Sequence, residues 1–143
     1  MDMKVYFLVI LAFTTVGFYA CEKQKSDPNI EQRLIGNWEL KFSRGGFTGE
    51  TKPAEEGKSS VLAFKSKDSY QQLENGNLVK EGKYELSTIK SIYSGQLETA
   101  ISFNEADALT KEIRKYVVSL RKDSLFLSDN YYDGYSTLYL RVK

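Results

Sequence analysis

Histidine is absent from this chain of 143 residues, cysteine occurs once, as Cys21, and proline twice, as Pro28 and Pro53. The first absence removes the commonest general base and the commonest metal ligand. A single cysteine excludes an internal disulfide and any zinc site built from paired cysteines and histidines. An excess of charge of either sign is missing too: 20 Lys and Arg against 19 Asp and Glu leave a net +1. Nucleic acid, which needs a basic face to displace counterions from phosphates, is therefore not an expected partner. No cofactor is expected, because no motif for one is present. Aromatics reach 13% of the residues, which suits a packed β domain better than a disordered chain.

Only one long hydrophobic run occurs, and it is N-terminal. Lys4 precedes an uncharged stretch from Val5 to Ala20 whose strongly apolar part, VYFLVILAF, has the length of a signal-peptide core. A spanning helix wants roughly 20 apolar residues, and Thr14 and Thr15 interrupt this one. The run ends in Gly17-Phe18-Tyr19-Ala20-Cys21, followed at once by the polar EKQKSDP. A small residue directly before a lone cysteine resembles the lipobox of bacterial lipoproteins. That resemblance implies a lipid on Cys21, a membrane as partner through this anchor, and a place in the bacterial cell envelope. Glu22 stands where an Asp would mark inner-membrane retention, so the outer membrane is favoured. The alternative is an ordinary signal peptide or an anchor helix with an incidental cysteine.

The expected organisation is a leader over 1–20, a lipidated tether over 21–29 and one domain over 30–143. About 120 residues is the size of a single domain with one core. Asp27-Pro28 is a helix-start signal, so IEQRL is expected to form a helical turn. In GNWELKFS, Trp38, Leu40 and Phe42 alternate with polar residues, the period of a half-buried strand. A long polar loop is expected from Arg44 to Lys58. The strands SSVLAFK, SYQQLE and LVKEGKYELS follow, the last two joined by the hairpin signal Asn75-Gly76. A fifth strand is expected from Tyr93 to Phe103, then NEADALTKEI as a connection, then RKYVVSLRK, SLFLSD and YSTLYLRVK. Consecutive strands with short turns pair antiparallel, and eight of them can close into an up-and-down barrel wide enough to fill with side chains or to hold one small ligand. An immunoglobulin-like sandwich is the alternative fold.

The segment LIGNWEL, with Gly36-Asn37-Trp38 opening the first strand, resembles the G-x-W signature of lipocalins and of lipocalin-like domains in many lipoproteins of Bacteroidetes-type bacteria. The closing YSTLYLRVK is similar to the last strand of those domains. The resemblance implies an eight-stranded barrel in which Arg141 lies across Trp38 at a closed end. Such a contact would be a favourable cation–π pair.

Inward aromatics are the candidates for lining a cavity: Phe42, Phe64, Tyr70, Tyr84, Phe103 and Tyr116. They line a pocket for a small apolar or amphipathic ligand, or they fill the barrel, which would then act through its surface as an envelope accessory protein or inhibitor. The Gly-rich stretch around Gly45, Gly46 and Gly49 reads as a flexible lid, because no helix follows it as a phosphate cradle requires. Asp129 to Gly134 lacks the spacing of a calcium loop and reads as a tyrosine-decorated turn. Arg114, Lys115, Arg121 and Lys122 read as solvated strand ends. Without histidine or a recognisable carboxylate pair, an enzyme is not expected.

Overall fold

The structure, a computed structural model, describes residues 29–106 and 112–143. The expected leader, its lipid-attachment residue Cys21 and nearly all of the tether lie outside the described residues, as does the middle of the NEADALTKEI connection.

Among the described residues, one helical turn, α1 (Ile30–Leu34), precedes nine strands. They are β1 (Gly36–Gly45), β2 (Glu50–Pro53), β3 (Ser60–Lys65), β4 (Ser69–Glu74), β5 (Asn77–Lys90), β6 (Leu97–Ala106), β7 (Ile113–Arg121), β8 (Ser124–Asp129) and β9 (Tyr135–Arg141). All neighbours pair antiparallel, and β1 also pairs with β9. The sheet thus closes into an eight-stranded up-and-down barrel of lipocalin-type topology, formed by β1 and β3–β9, with β2 as an additional strand. Closure leaves the wall without a free edge to template aggregation.

Turn chemistry sets the hairpins. Asn75 and Gly76 both have positive φ, 51° and 80°, as a type I′ turn requires. The β3–β4 turn does the same with Lys67 (61°) and Asp68 (53°).

Three features depart from the sequence expectation. The stretch from Arg44 to Lys58 is not one long loop. Its first half forms a hairpin in which β2 pairs back onto β1 from Phe42↔Pro53 to Gly45↔Glu50. The β1 edge is then taken over by β3, from Glu39↔Val61 to Gly36↔Phe64. Only 54–59 leaves the sheet, and Asn75 pins its end: Asn75 Oδ1 accepts from Ser59 N at 2.9 Å and Asn75 N donates to Ser59 O at 2.8 Å.

The strand expected from Tyr93 begins instead at Leu97. Ser91 to Gln96 make a tight turn, closed by Ser91 N to Gln96 O at 2.9 Å, with Gly95 at φ 68° and the Ser91 hydroxyl accepting from Tyr93 N. Side-chain capping by serine and a left-handed glycine outweigh the β propensity of Ile92 and Tyr93.

The third departure is a register shift on β1 against β9 between Leu40 and Phe42. An extra residue there reverses the alternation beyond it.

The interior core contains Leu34, Trp38, Leu62, Phe64, Tyr70, Tyr84, Ile101, Val118, Leu125 and Leu127, with Leu86, Phe103, Tyr116, Leu120 and Tyr139 packed against them. Both Leu34 and Trp38 are fully buried, so α1 stoppers the end of the barrel at which β1 begins.

Candidate functional site

At the stoppered end, the Arg141 guanidinium carbon lies 4.1 Å from the Trp38 ring centroid. Three polar bonds hold the pair. Trp38 Nε1 donates to Leu34 O at 2.7 Å, Arg141 Nη1 to Ile35 O at 2.9 Å, and Arg141 Nη2 to Arg33 O at 2.5 Å. Asp123 adds a longer contact to Arg141 Nε at 3.7 Å. The carbonyls that receive Arg141 are the exposed C-terminal groups of α1, which a cation satisfies well. This end is a structural lock joining α1, β1 and β9.

The other end, where β1, β4, β6 and β8 finish, is open. From it a cavity of about 440 Å³ enters the barrel, within the roughly 300–1,000 Å³ of small-molecule sites. Leu62, Phe103 and Leu127 give it apolar surface, and Tyr70, Tyr116 and Tyr139 give rings with hydroxyls. Nearer the mouth stand Ser60, Gln72, Lys80, Arg114, Asp129, Tyr135 and Thr137.

Five of the six expected lining aromatics form one cluster. Phe64 meets Tyr84 edge-on at 5.1 Å and stacks on Phe103 at 6.3 Å; Phe103 meets Tyr70 at 4.7 Å and Tyr116 at 6.0 Å. Within it Tyr70, Phe103 and Tyr116 face the cavity, while Phe64 and Tyr84 are buried among the others without reaching the cavity wall. The cluster therefore fills the middle of the barrel and forms the cavity floor.

Phe42 is not brought to this site. The register shift pairs it with Leu138, whose neighbour across β8 is Phe126, whereas Ser43 takes the inward place opposite Thr137 at 3.2 Å between hydroxyls. The inward row on β9 is Tyr135, Thr137, Tyr139; Leu138 and Phe42 occupy the outer one.

Charge at the mouth is what the sequence reading missed. Arg114, read as a solvated strand end, shares its face of β7 with Tyr116 and Val118, and Lys80 shares its face of β5 with Tyr84. Counting by twos from the buried residues would have placed both inside. The buried Asp129 is held by donors from its own loop: Tyr135 N at 2.8 Å and the Tyr131 hydroxyl. Burial raises the pKa of Tyr116, an effect supported by Asp129 and opposed by Arg114 and Lys80. Burial likewise pushes Tyr139 up to about 12. Both phenols are thus neutral hydrogen-bonding groups at physiological pH.

Outside the barrel, β6 pairs with β7 only from Ala100↔Val117 on the amino-terminal side, so the tip of the β5–β6 hairpin leaves the wall. It docks on the β8–β9 loop: Ile92 N donates to Asn130 Oδ1 at 2.9 Å, Asn130 Nδ2 to Lys90 O at 3.0 Å, and Tyr93 Oη to Tyr131 O at 3.3 Å. Phe47, Tyr93 and Tyr132 are 93%, 60% and 84% exposed at neighbouring loops. Among the described residues, no group of three or more carboxylate, cysteine or histidine side chains could hold a metal ion, and no helix is long and apolar enough to cross a membrane. No family model matches the chain, and neither a curated protein nor a solved structure matches it.

Proposed function

We propose that this chain is a membrane-anchored lipocalin-like binding protein that takes a small amphipathic molecule into the open end of its barrel. The observation that carries the reading is the 440 Å³ cavity, with leucine and aromatic surface below and hydroxyl, amide and charged groups above. An apolar wall with a few convergent polar groups is the usual make-up of a small-molecule site. Binding rather than turnover fits a lining in which Asp129 is engaged by its own loop and no histidine is available.

The anchor would be lipid on Cys21, which the lipobox-like sequence supports. More than one acyl chain gives stable attachment. The domain begins with α1 at the stoppered end, so the tether would join opposite the mouth, leaving the cavity turned away from the attachment point.

A second reading, a surface-acting accessory or inhibitor, draws on exposed Phe47, Tyr93 and Tyr132. Native mass spectrometry of protein purified gently from its own host separates the two. The binding reading expects a persistent added mass of a small organic molecule, lost on organic extraction. An apo mass only, together with a co-purifying protein lost on changing Tyr132→Ala, would favour the surface.

A further inference from the structure

Deep in the cavity a phenol stands among carbon. Leu62, Phe103 and Leu127 present apolar surface there, and Tyr139 brings its hydroxyl into the same lining. Of the three β9 residues that line the cavity, Tyr139 lies furthest from the mouth, across the ladder from Leu125, which is fully buried. Neighbouring hydroxyls are engaged: Thr137 pairs with Ser43 at 3.2 Å, and the Tyr116 oxygen accepts from Arg114. Tyr139 differs. Among the described residues no protein group hydrogen-bonds its hydroxyl, although its ring packs on the core. Burial pushes the phenol up to about 12, so at physiological pH it is a neutral group with a proton to donate. Water can meet such a donor in the free protein. A ligand that displaces the water must bring an acceptor of its own or leave a buried donor unmet, and the second is costly.

Resting on the binding reading above, we propose that the ligand carries a neutral carbonyl oxygen on its buried end, received by the Tyr139 hydroxyl, and is therefore a compact carbonyl compound of the ketone or quinone type. A molecule whose buried end is a hydrocarbon tail does not fit this lining, because its terminal methyl would lie against the hydroxyl and strip it of a partner. An ionised head at that depth does not fit either. Its remaining sides would face Leu62, Phe103 and Leu127, where an unpaired charge is expensive. A carbonyl that accepts one hydrogen bond recovers what it loses on leaving water, and its carbon framework covers the leucine and phenyl surface. The floor restricts size as well, since Phe64 and Tyr84 meet edge-on at 5.1 Å beneath the cavity and leave no passage for a long chain.

The test compares 2-acetylnaphthalene with 2-ethylnaphthalene, one framework with and without the carbonyl. Each is used to displace N-phenylnaphthylamine, a neutral fluorescent probe, from the mature chain and from its Tyr139→Phe and Tyr116→Phe variants. The quantity read is the ratio of ketone to hydrocarbon affinity, which a general change in cavity shape leaves alone because both compounds feel it alike. Tyr139→Phe is expected to lower this ratio about tenfold, and Tyr116→Phe to leave it within about twofold. A ratio unchanged in Tyr139→Phe, or one that falls only in Tyr116→Phe, overturns the assignment while the cavity reading stands. So does failure of both compounds to displace a bound probe. If N-phenylnaphthylamine itself does not bind the wild-type protein, the cavity reading fails and takes the assignment with it. Should Tyr139→Phe unfold by circular dichroism, the infrared carbonyl stretch of bound 2-acetylnaphthalene decides. A hydrogen-bonded frequency that persists in Tyr116→Phe supports the assignment; a frequency like that in hydrocarbon solvent, or one that reverts in Tyr116→Phe, overturns it.

Discussion

A methyl group on Gly36 would lie 2.5 Å from Arg141 Nη1, and the backbone there has φ 136°, a region in which side chains are strained. The glycine and tryptophan of the opening signature thus have one physical cause, the arginine that must pass the first to cover the second. Gly36→Ala is expected to lower stability by about 2 kcal/mol or more in urea unfolding. Arg141→Ala should cost a similar amount, through the lost cation–π contact and two carbonyls left without their donor. In the double variant the two losses should fall short of their sum, because the clash disappears with the guanidinium. Full additivity would mean that the strain is purely in the backbone. Tyr139 gives a pH signature. Its folded pKa of about 12 lies above the ordinary 10.0, so the native state keeps a proton that the unfolded chain loses. Its contribution is complete below pH 10 and is lost as pH rises from there towards 12, on the order of 2 kcal/mol in all. Tyr139→Phe should flatten the fall in stability across that window, read by urea unfolding at stepped pH. At this scale the sequence was legible where a residue has a fixed geometric task, as with Trp38 and Arg141. It was not legible for Lys80, Arg114 and Asp129, since a charged residue at a strand end reads as solvated until the position of the cavity mouth is known.

Strands were legible as alternation and one hairpin as the Asn75-Gly76 pair, and those local signals sufficed for the order of the eight wall strands. What local patterning does not carry is a register shift. Phe42 continues the Trp38-Leu40 alternation in sequence, yet the extra residue between Leu40 and Phe42 turns it to the outer face beside Leu138. Nothing in GNWELKFS signals this, because the shift shows only in the pairing of β1 with β9, a strand distant in sequence. The same applies to the β5–β6 hairpin, whose departure from β7 at Ala100 depends on a docking partner far along the chain. Asn130 is that partner, with bonds to Ile92 N and Lys90 O. Asn130→Ala should speed amide exchange at Ile92 and cost about 1–2 kcal/mol of global stability. Unchanged exchange at Ile92 would show that the hairpin tip is held by Tyr93 and Tyr131 instead.

For the whole molecule, the two ends of the barrel have separate tasks. The Trp38–Arg141 lock and α1 close one end, and the charged, tyrosine-lined cavity opens at the other. If Cys21 carries lipid, Cys21→Ser should move the protein from the membrane to the soluble fraction without altering its unfolding midpoint. Retention in the membrane would point to an uncleaved anchor helix. The central claim is that binding occurs inside the barrel and not on its exposed aromatics, and two-dimensional NMR titration with N-phenylnaphthylamine tests it most directly. The account predicts saturable shifts at Leu62, Tyr70, Phe103, Tyr116, Leu127 and Thr137, with the outer residues Phe42, Phe47, Tyr93 and Tyr132 unmoved. Shifts confined to Phe47, Tyr93 and Tyr132, with a silent interior, would contradict it.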